Sequence, residues 1–123
     1  MAFTFRTATL WGHIEEEEAI LFDMARLLDL RVPLLMELNA RFYDNPTIAK
    51  ESVAPLRDEL LLTMRAFVVH PDAFERALKA KPASFQELAH SLRGYDILRC
   101  LASLVAVCDD ALAQNTAVSC LSD

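Results

Sequence analysis

Glu87 and His90 stand three residues apart in Phe85-Gln86-Glu87-Leu88-Ala89-His90. One helix of a carboxylate-bridged di-iron bundle presents two ligands with that spacing. Such a centre also needs a second Glu-x-x-His pair and two further inward carboxylates. The other histidines do not supply it, because Leu10 stands three positions before His13 and Phe67 three before His70. An alternative ligand set would bring His13, Glu16 and Glu17 near His90. The plainer reading makes Glu87 a cap and His90 a surface residue, and no residue is nominated as a metal or cofactor ligand.

Nucleophilic catalysis requires a Ser, Cys or Thr held beside a base, with an oxyanion hole often built on a Gly-bearing turn. No Gly-x-Ser-x-Gly elbow is present, and Gly12 and Gly94 are too far apart to form a phosphate loop. Cys100 and Cys108 sit in one apolar helical run, where packing is the expected role. Eight residues of helix hold them roughly 12 Å apart, too far for a bridge. Cys120 falls on a tail with no base beside it. All three read as thiols of a reducing cytosol, no catalytic residue is nominated, and enzymatic activity is the lesser expectation.

Nucleic acid is an equally poor match. Arg76, Lys79, Lys81, Arg93 and Arg99 against Glu87 and Asp96 form the one locally basic region, and Phe85 to His90 resembles the first helix of a helix-turn-helix. A recognition helix must present polar side chains to base edges, whereas the segment after Gly94 is apolar all round. The whole-chain net charge of -6 further disfavours nucleic acid and anionic lipid.

The charge itself is unevenly placed. From His13 to Leu30 there are four Glu and two Asp against one Arg, so this segment carries -5 of the total -6. Glu15, Glu16, Glu17 and Glu18 would complement the positive end of a helix dipole. With Asp23 and Asp29 they would also suit an acidic docking surface, where clustered charge raises association rate and specificity. Trp11 is an expected anchor beside them, in an aromatic edge with Phe3, Phe5, Phe42 and Tyr43.

These residues need elements to hold them. At 123 residues, 54% hydrophobic and with a mean hydropathy of +0.22, the chain is expected to form one domain over 1–123 with a core closed without disulfides. The apolar excess suits a partner interface or a homodimer. Ile97 to Cys108 reads as the core helix, Tyr95 to Ala113, surrounded by other helices and capped by Asp96. Residues 1–11 read as an extended arm lying in a groove, since one strand alone has no sheet to join. Helix one is expected from about His13 to Leu30. Pro33 starts a second helix, and Asn45 caps a short third at Pro46.

A break near Glu51 lets Ser52 cap a fourth helix that tolerates Pro55 in its first turn and ends before His70. Asp72 with Glu75 and Ser84 with Glu87 match capping boxes for helices five and six. Gly94 is expected to close the sixth in a left-handed conformation, and 114–123 to fray.

The expected fold is therefore all-α: a bundle of about six helices around a buried C-terminal helix, with a short N-terminal arm. No secretory signal is apparent and no apolar run is long enough for a bilayer, so a cytoplasmic protein is expected. The leading functional expectation is a noncatalytic acidic module that inhibits or regulates a protein partner with a basic or neutral surface, of which immunity and antitoxin-like inhibitors are one class. A helical bundle binding an apolar ligand or metal, possibly with enzymatic activity, and a structural homo-oligomer are the alternatives. Contact is expected through Trp11, Glu15, Glu16, Glu17, Glu18, Asp23 and Asp29.

Overall fold

Phe3 and Phe5 are fully buried, and alternate residues of an extended chain share a face, so the N-terminal segment must lie in a sheet. The computed structural model, which describes residues 2–122, shows a four-stranded antiparallel sheet in the order β2-β1-β4-β3. Its strands are β1 (Ala2–Arg6), β2 (Trp11–Glu15), β3 (Thr47–Ile48) and β4 (Val118–Ser122). Phe3 stands opposite Ile14 on one side and Ser122 on the other. Phe3, Phe5, Gly12, Ile14, Ile48, Val118 and Cys120 are buried, while the alternate residues form an open outer face.

The chain is thus mixed α/β, and the all-α expectation is overturned by both ends of the sequence. The supposed arm contains a central strand, and the supposed frayed tail contains the strand that pairs with it. Met1 and Asp123, the outermost residues of that arm and tail, lie outside the described residues. An arm laid in a groove between helices could bury Phe3 and Phe5 but would leave a row of its backbone groups without partners. Pairing with Trp11–Glu15 on one side and Val118–Ser122 on the other supplies them.

Among the described residues six α-helices accompany the sheet: α1 (Ile20–Leu27), α2 (Pro33–Ala40), α3 (Lys50–Val69), α4 (Ala73–Lys79), α5 (Ala83–Leu88) and α6 (Gly94–Gln114). The long helices α3 and α6 pack together, α6 also lies on β2, and α1 packs on α4. Helix α6 buries Ile97, Cys100, Leu101, Leu104, Val107, Cys108 and Ala111. It is not surrounded, however. Arg99, Ala102, Ala106 and Asp109 face outward, so the core helix is a two-sided wall between the sheet and α3. Arg57 on α3 donates to Asp109 on α6 and ties the two together.

Several boundaries differ from the sequence expectation for identifiable reasons. His13 belongs to β2, so helix one shrinks to α1, preceded by a 3-10 turn at Glu17–Ala19. Asn45 and Pro46 start no helix: Asn45 is left-handed (φ 49°) and its Oδ1 accepts the Ser122 N–H at 2.8 Å, guiding the chain into β3. No break occurs at Glu51 and Ser52 is no cap, because α3 begins at Lys50 and continues through Pro55. Burial of Val53 and Leu56 outweighs the ladder bond that Pro55 lacks. Neither Asp72 nor Ser84 makes a capping box; α4 follows Asp72 without a side-chain cap bond and α5 begins at Ala83 after Pro82.

Gly94 opens α6 and does not close the preceding helix, and it has no positive φ. Asp96 still serves that terminus from the third helical position, accepting the Arg93 N–H at 2.8 Å. At the other end Asn115 turns left-handed (φ 53°) and the Thr116 N–H reaches Ala111 O at 3.0 Å, a helix stop that aims the chain into β4. Pro33 begins α2 as expected, but the cap arrives from elsewhere: Glu59 on α3 accepts the N–H groups of Leu34 and Leu35 at 3.3 and 3.0 Å.

Candidate functional site

Gly12 sets the position of the site. A methyl group there would stand 3.1 Å from Ser103 Oγ and 3.4 Å from Ser103 O, so the missing side chain lets α6 approach β2 closely. Beside this contact a groove of about 510 Å³ opens between β2, the turn after it, the end of α5 and the first half of α6. Glu15, Glu17 and Glu18 line one side, while Asp96, Arg99, Cys100 and Ser103 line the other. Trp11, 65% exposed, stands at the rim.

The rim is internally organised. Trp11 stacks on His13 with ring centroids 5.6 Å apart and planes 26° apart, and His13 Nε2 lies 2.9 Å from Glu15 Oε1. Glu18 folds back over the strand end, its Oε1 accepting the Glu15 N–H at 2.8 Å. Burial pushes the Glu18 carboxyl upward; the bond from the Glu15 N–H opposes this, while the charges of Glu15 and Glu17 add to it. The Cys100 thiol, donating to His13 O at 3.6 Å, is pushed well above the usual thiol range by burial and then by Glu18 and Glu15. A thiol held neutral in that way is no nucleophile.

Four carboxylates therefore share one groove with one guanidinium and one imidazole. Arg99 is partly drawn aside, with its guanidinium 5.5 Å from the centre of the Tyr95 ring. The arrangement suits a cation: carboxylates pair with ammonium or guanidinium groups, and an exposed indole offers a face on which such a group can stack.

The residues expected from the sequence divide into two sets. Trp11, Glu15, Glu17 and Glu18 meet in this groove. Glu16 faces a separate hollow with Ala19, Asn39, Phe42 and Tyr43. Asp23 pairs with Lys81 at 2.9 Å and with Arg26 at 3.5 Å, and Asp29 ends α1 in a left-handed conformation, φ 52°. The aromatic edge also divides: Phe3 and Phe5 enter the core, Phe42 stacks on Phe3 at 4.6 Å, and Tyr43 remains exposed. Asp96 and Arg99, which reach the groove from α6, were not among the expected contact residues; only the packing of α6 on β2 reveals them.

His90 does not join this site. Its Nδ1 lies 2.9 Å from Glu87 O, within its own turn, and among the described residues no three His, Cys, Asp or Glu side chains converge as metal ligands. Among the described residues, too, no helix is long and apolar enough to cross a membrane. No protein-family model matches the chain. Neither the curated proteins nor the solved structures include a match to it.

Proposed function

We propose that this chain is a noncatalytic protein-binding module of the cytoplasm that docks a basic surface of a partner in the groove between β2 and α6, and thereby inhibits or regulates that partner. The observation that carries the reading is the gathering of Glu15, Glu17, Glu18 and Asp96 in one groove beside the exposed Trp11. Burial, with a smaller addition from the charges of Glu15 and Glu17, already disfavours the charged form of Glu18, so an arriving cation relieves an existing electrostatic imbalance. Clustered charge of this kind chiefly raises association rate and selects against acidic competitors. The three buried thiols fit a reducing compartment.

The test is recovery of a stoichiometric partner from lysate of the source organism by the tagged full chain, repeated with Glu17→Lys and with Trp11→Ala. Both variants are expected to lose the partner, and added salt to weaken the wild-type complex. Equal recovery by all three proteins, unaffected by salt, would show that the groove is not the docking surface.

A second reading, self-association, draws on the outer side of α3. Leu61, Leu62, Val68 and Val69 are exposed there by 38, 47, 64 and 65%, on either side of the exposed Arg65, and such apolar pairs are suited to burial against a second copy. Light scattering on the purified chain decides it: a mass of 13.8 kDa at high protein concentration removes this reading.

A further inference from the structure

The groove has a backbone wall as well as a charged one. In an antiparallel ladder, alternate residues turn their N–H and C=O toward opposite neighbours. The Glu15 N–H is bonded to the Glu18 carboxylate and His13 O accepts the Cys100 thiol, so both residues face away from β1. By the same alternation Trp11 faces away too, and Gly12 and Ile14 carry the ladder to Phe5 and Phe3. The phase is consistent across the sheet: Cys120 and Ser122 send their N–H groups outward to Pro46 O at 3.0 Å and Asn45 Oδ1 at 2.8 Å.

The two edges of the sheet are consequently unlike. The β3 edge has two residues and runs directly into α3, too short to pair with anything. The β2 edge has five residues, about 14 Å of strand. Its Trp11 N–H and C=O and its His13 N–H are left unpaired by the ladder. They border the same 510 Å³ groove whose far wall is α6 with Leu88 and Leu92 beyond. An edge strand beside a helix is a site at which an extended peptide can gain both backbone bonds and side-chain pockets.

We infer that an extended, Lys- or Arg-bearing segment of a protein partner adds to β2 as a fifth strand, with the edge supplying backbone bonds and Glu17, Glu18 and Asp96 receiving its basic side chain. The inference rests on the docking reading above and deepens it. Charge selects the occupant. Edge-to-edge pairing of two copies would gather the Glu15, Glu17 and Glu18 charges of both along one short seam, and charged side chains at an edge are a recognised way to block self-pairing, whereas a basic segment meets them as counterions. Glu18 also covers the Glu15 N–H, so pairing is confined to the Trp11 and His13 end of the strand.

A library of random linear twelve-residue peptides, selected on the full chain, provides the probe. The selected sequences are expected to carry Lys or Arg. Replacing the backbone N–H of the paired residue by N-methyl should weaken the best peptide at least tenfold at unchanged charge. On the protein, His13→Pro removes an edge N–H that β1 does not use, a position where proline is tolerated. It should bind at least tenfold more weakly than His13→Val, which keeps that N–H.

Strand addition is overturned if no position of the peptide is sensitive to N-methylation, and the docking reading then survives only if Glu17→Lys still abolishes binding. Selected peptides without a basic residue, bound equally by Glu17→Lys, overturn both. Should His13→Pro fail to fold, the N-methyl scan alone decides the matter.

Discussion

Replacing Phe5 by Ala tests whether the N-terminus is a structural strand. Phe5 is fully buried, stands opposite Gly12 and Cys120, and packs edge-on against Phe3 at 5.1 Å. Removing a buried phenyl ring costs about 3–5 kcal/mol, because transfer and cavity terms add. A chain of 123 residues has a total stability of roughly 6–18 kcal/mol, so the loss is a large fraction of the whole. With a urea dependence of about 1.5 kcal/mol/M, the unfolding midpoint should fall by roughly 2–3 M, provided the slope is unchanged. Circular dichroism at increasing urea measures it. Thr4→Ala, on the outer face of the same strand, should cost about 0.5 kcal/mol or less. A Phe5→Ala shift no larger than that of Thr4→Ala would refute the central placement of β1 and restore the peripheral arm.

Three further outcomes are expected. Because the folded state raises the Glu18 carboxyl above its ordinary 4.5, it binds the proton more tightly than the unfolded state does. Wild-type stability should therefore fall relative to Glu18→Gln as pH rises from 4.5 toward the raised value, and the difference should level off above it; a wild type that gains stability relative to Glu18→Gln over that interval contradicts the assignment. Asp29→Gly, at a left-handed position, should be neutral to about 1 kcal/mol more stable, since relief of strain exceeds or balances the added freedom of the unfolded chain; a clear loss in thermal unfolding would point to a role for the carboxylate. For Arg57 and Asp109, exposed by 34 and 50%, a double-mutant cycle with Arg57→Met and Asp109→Asn should return a coupling of about 0.5 kcal/mol, and a value of zero would remove the pair as a clamp between α3 and α6.

How far the fold can be read from the sequence depends on the range of the interactions. Helices α3 and α6 announce themselves by apolar spacing within their own lengths, and Pro33 marks the start of α2 locally. Strand β4 has no such signal. Val118-Ser119-Cys120-Leu121-Ser122 turns only Val118 and Cys120 inward, and its partner β1 lies at the opposite end of the chain, so nothing nearby distinguishes it from a polar tail. Helix-favouring glutamates mask the end of β2: Trp11-Gly12-His13-Ile14-Glu15 alternates, but the Glu run carries the eye into α1. The clue available was Phe3-Thr4-Phe5, an alternation that requires partner strands.

The acidic half of the site was legible for the same reason that its geometry was not. Glu15, Glu17, Glu18 and Trp11 are close in sequence, and their charge and type are visible without a fold. Asp96 and Arg99 enter only because Gly12 admits α6 against β2. Asp23 leaves the set because Lys81, distant in sequence, neutralises it. A run of like charges thus identified a region, and tertiary packing decided which of its members share a groove.

Trp11 is the single tryptophan of the chain and stands at the groove rim, so its fluorescence reports occupancy directly. Stopped-flow mixing with the recovered partner, at ionic strengths from about 0.02 to 0.5 M, would measure the association rate. The docking account predicts a change in Trp11 emission and a rate that falls at least about tenfold across that range. A rate independent of salt, or an emission unchanged at saturation, would contradict it.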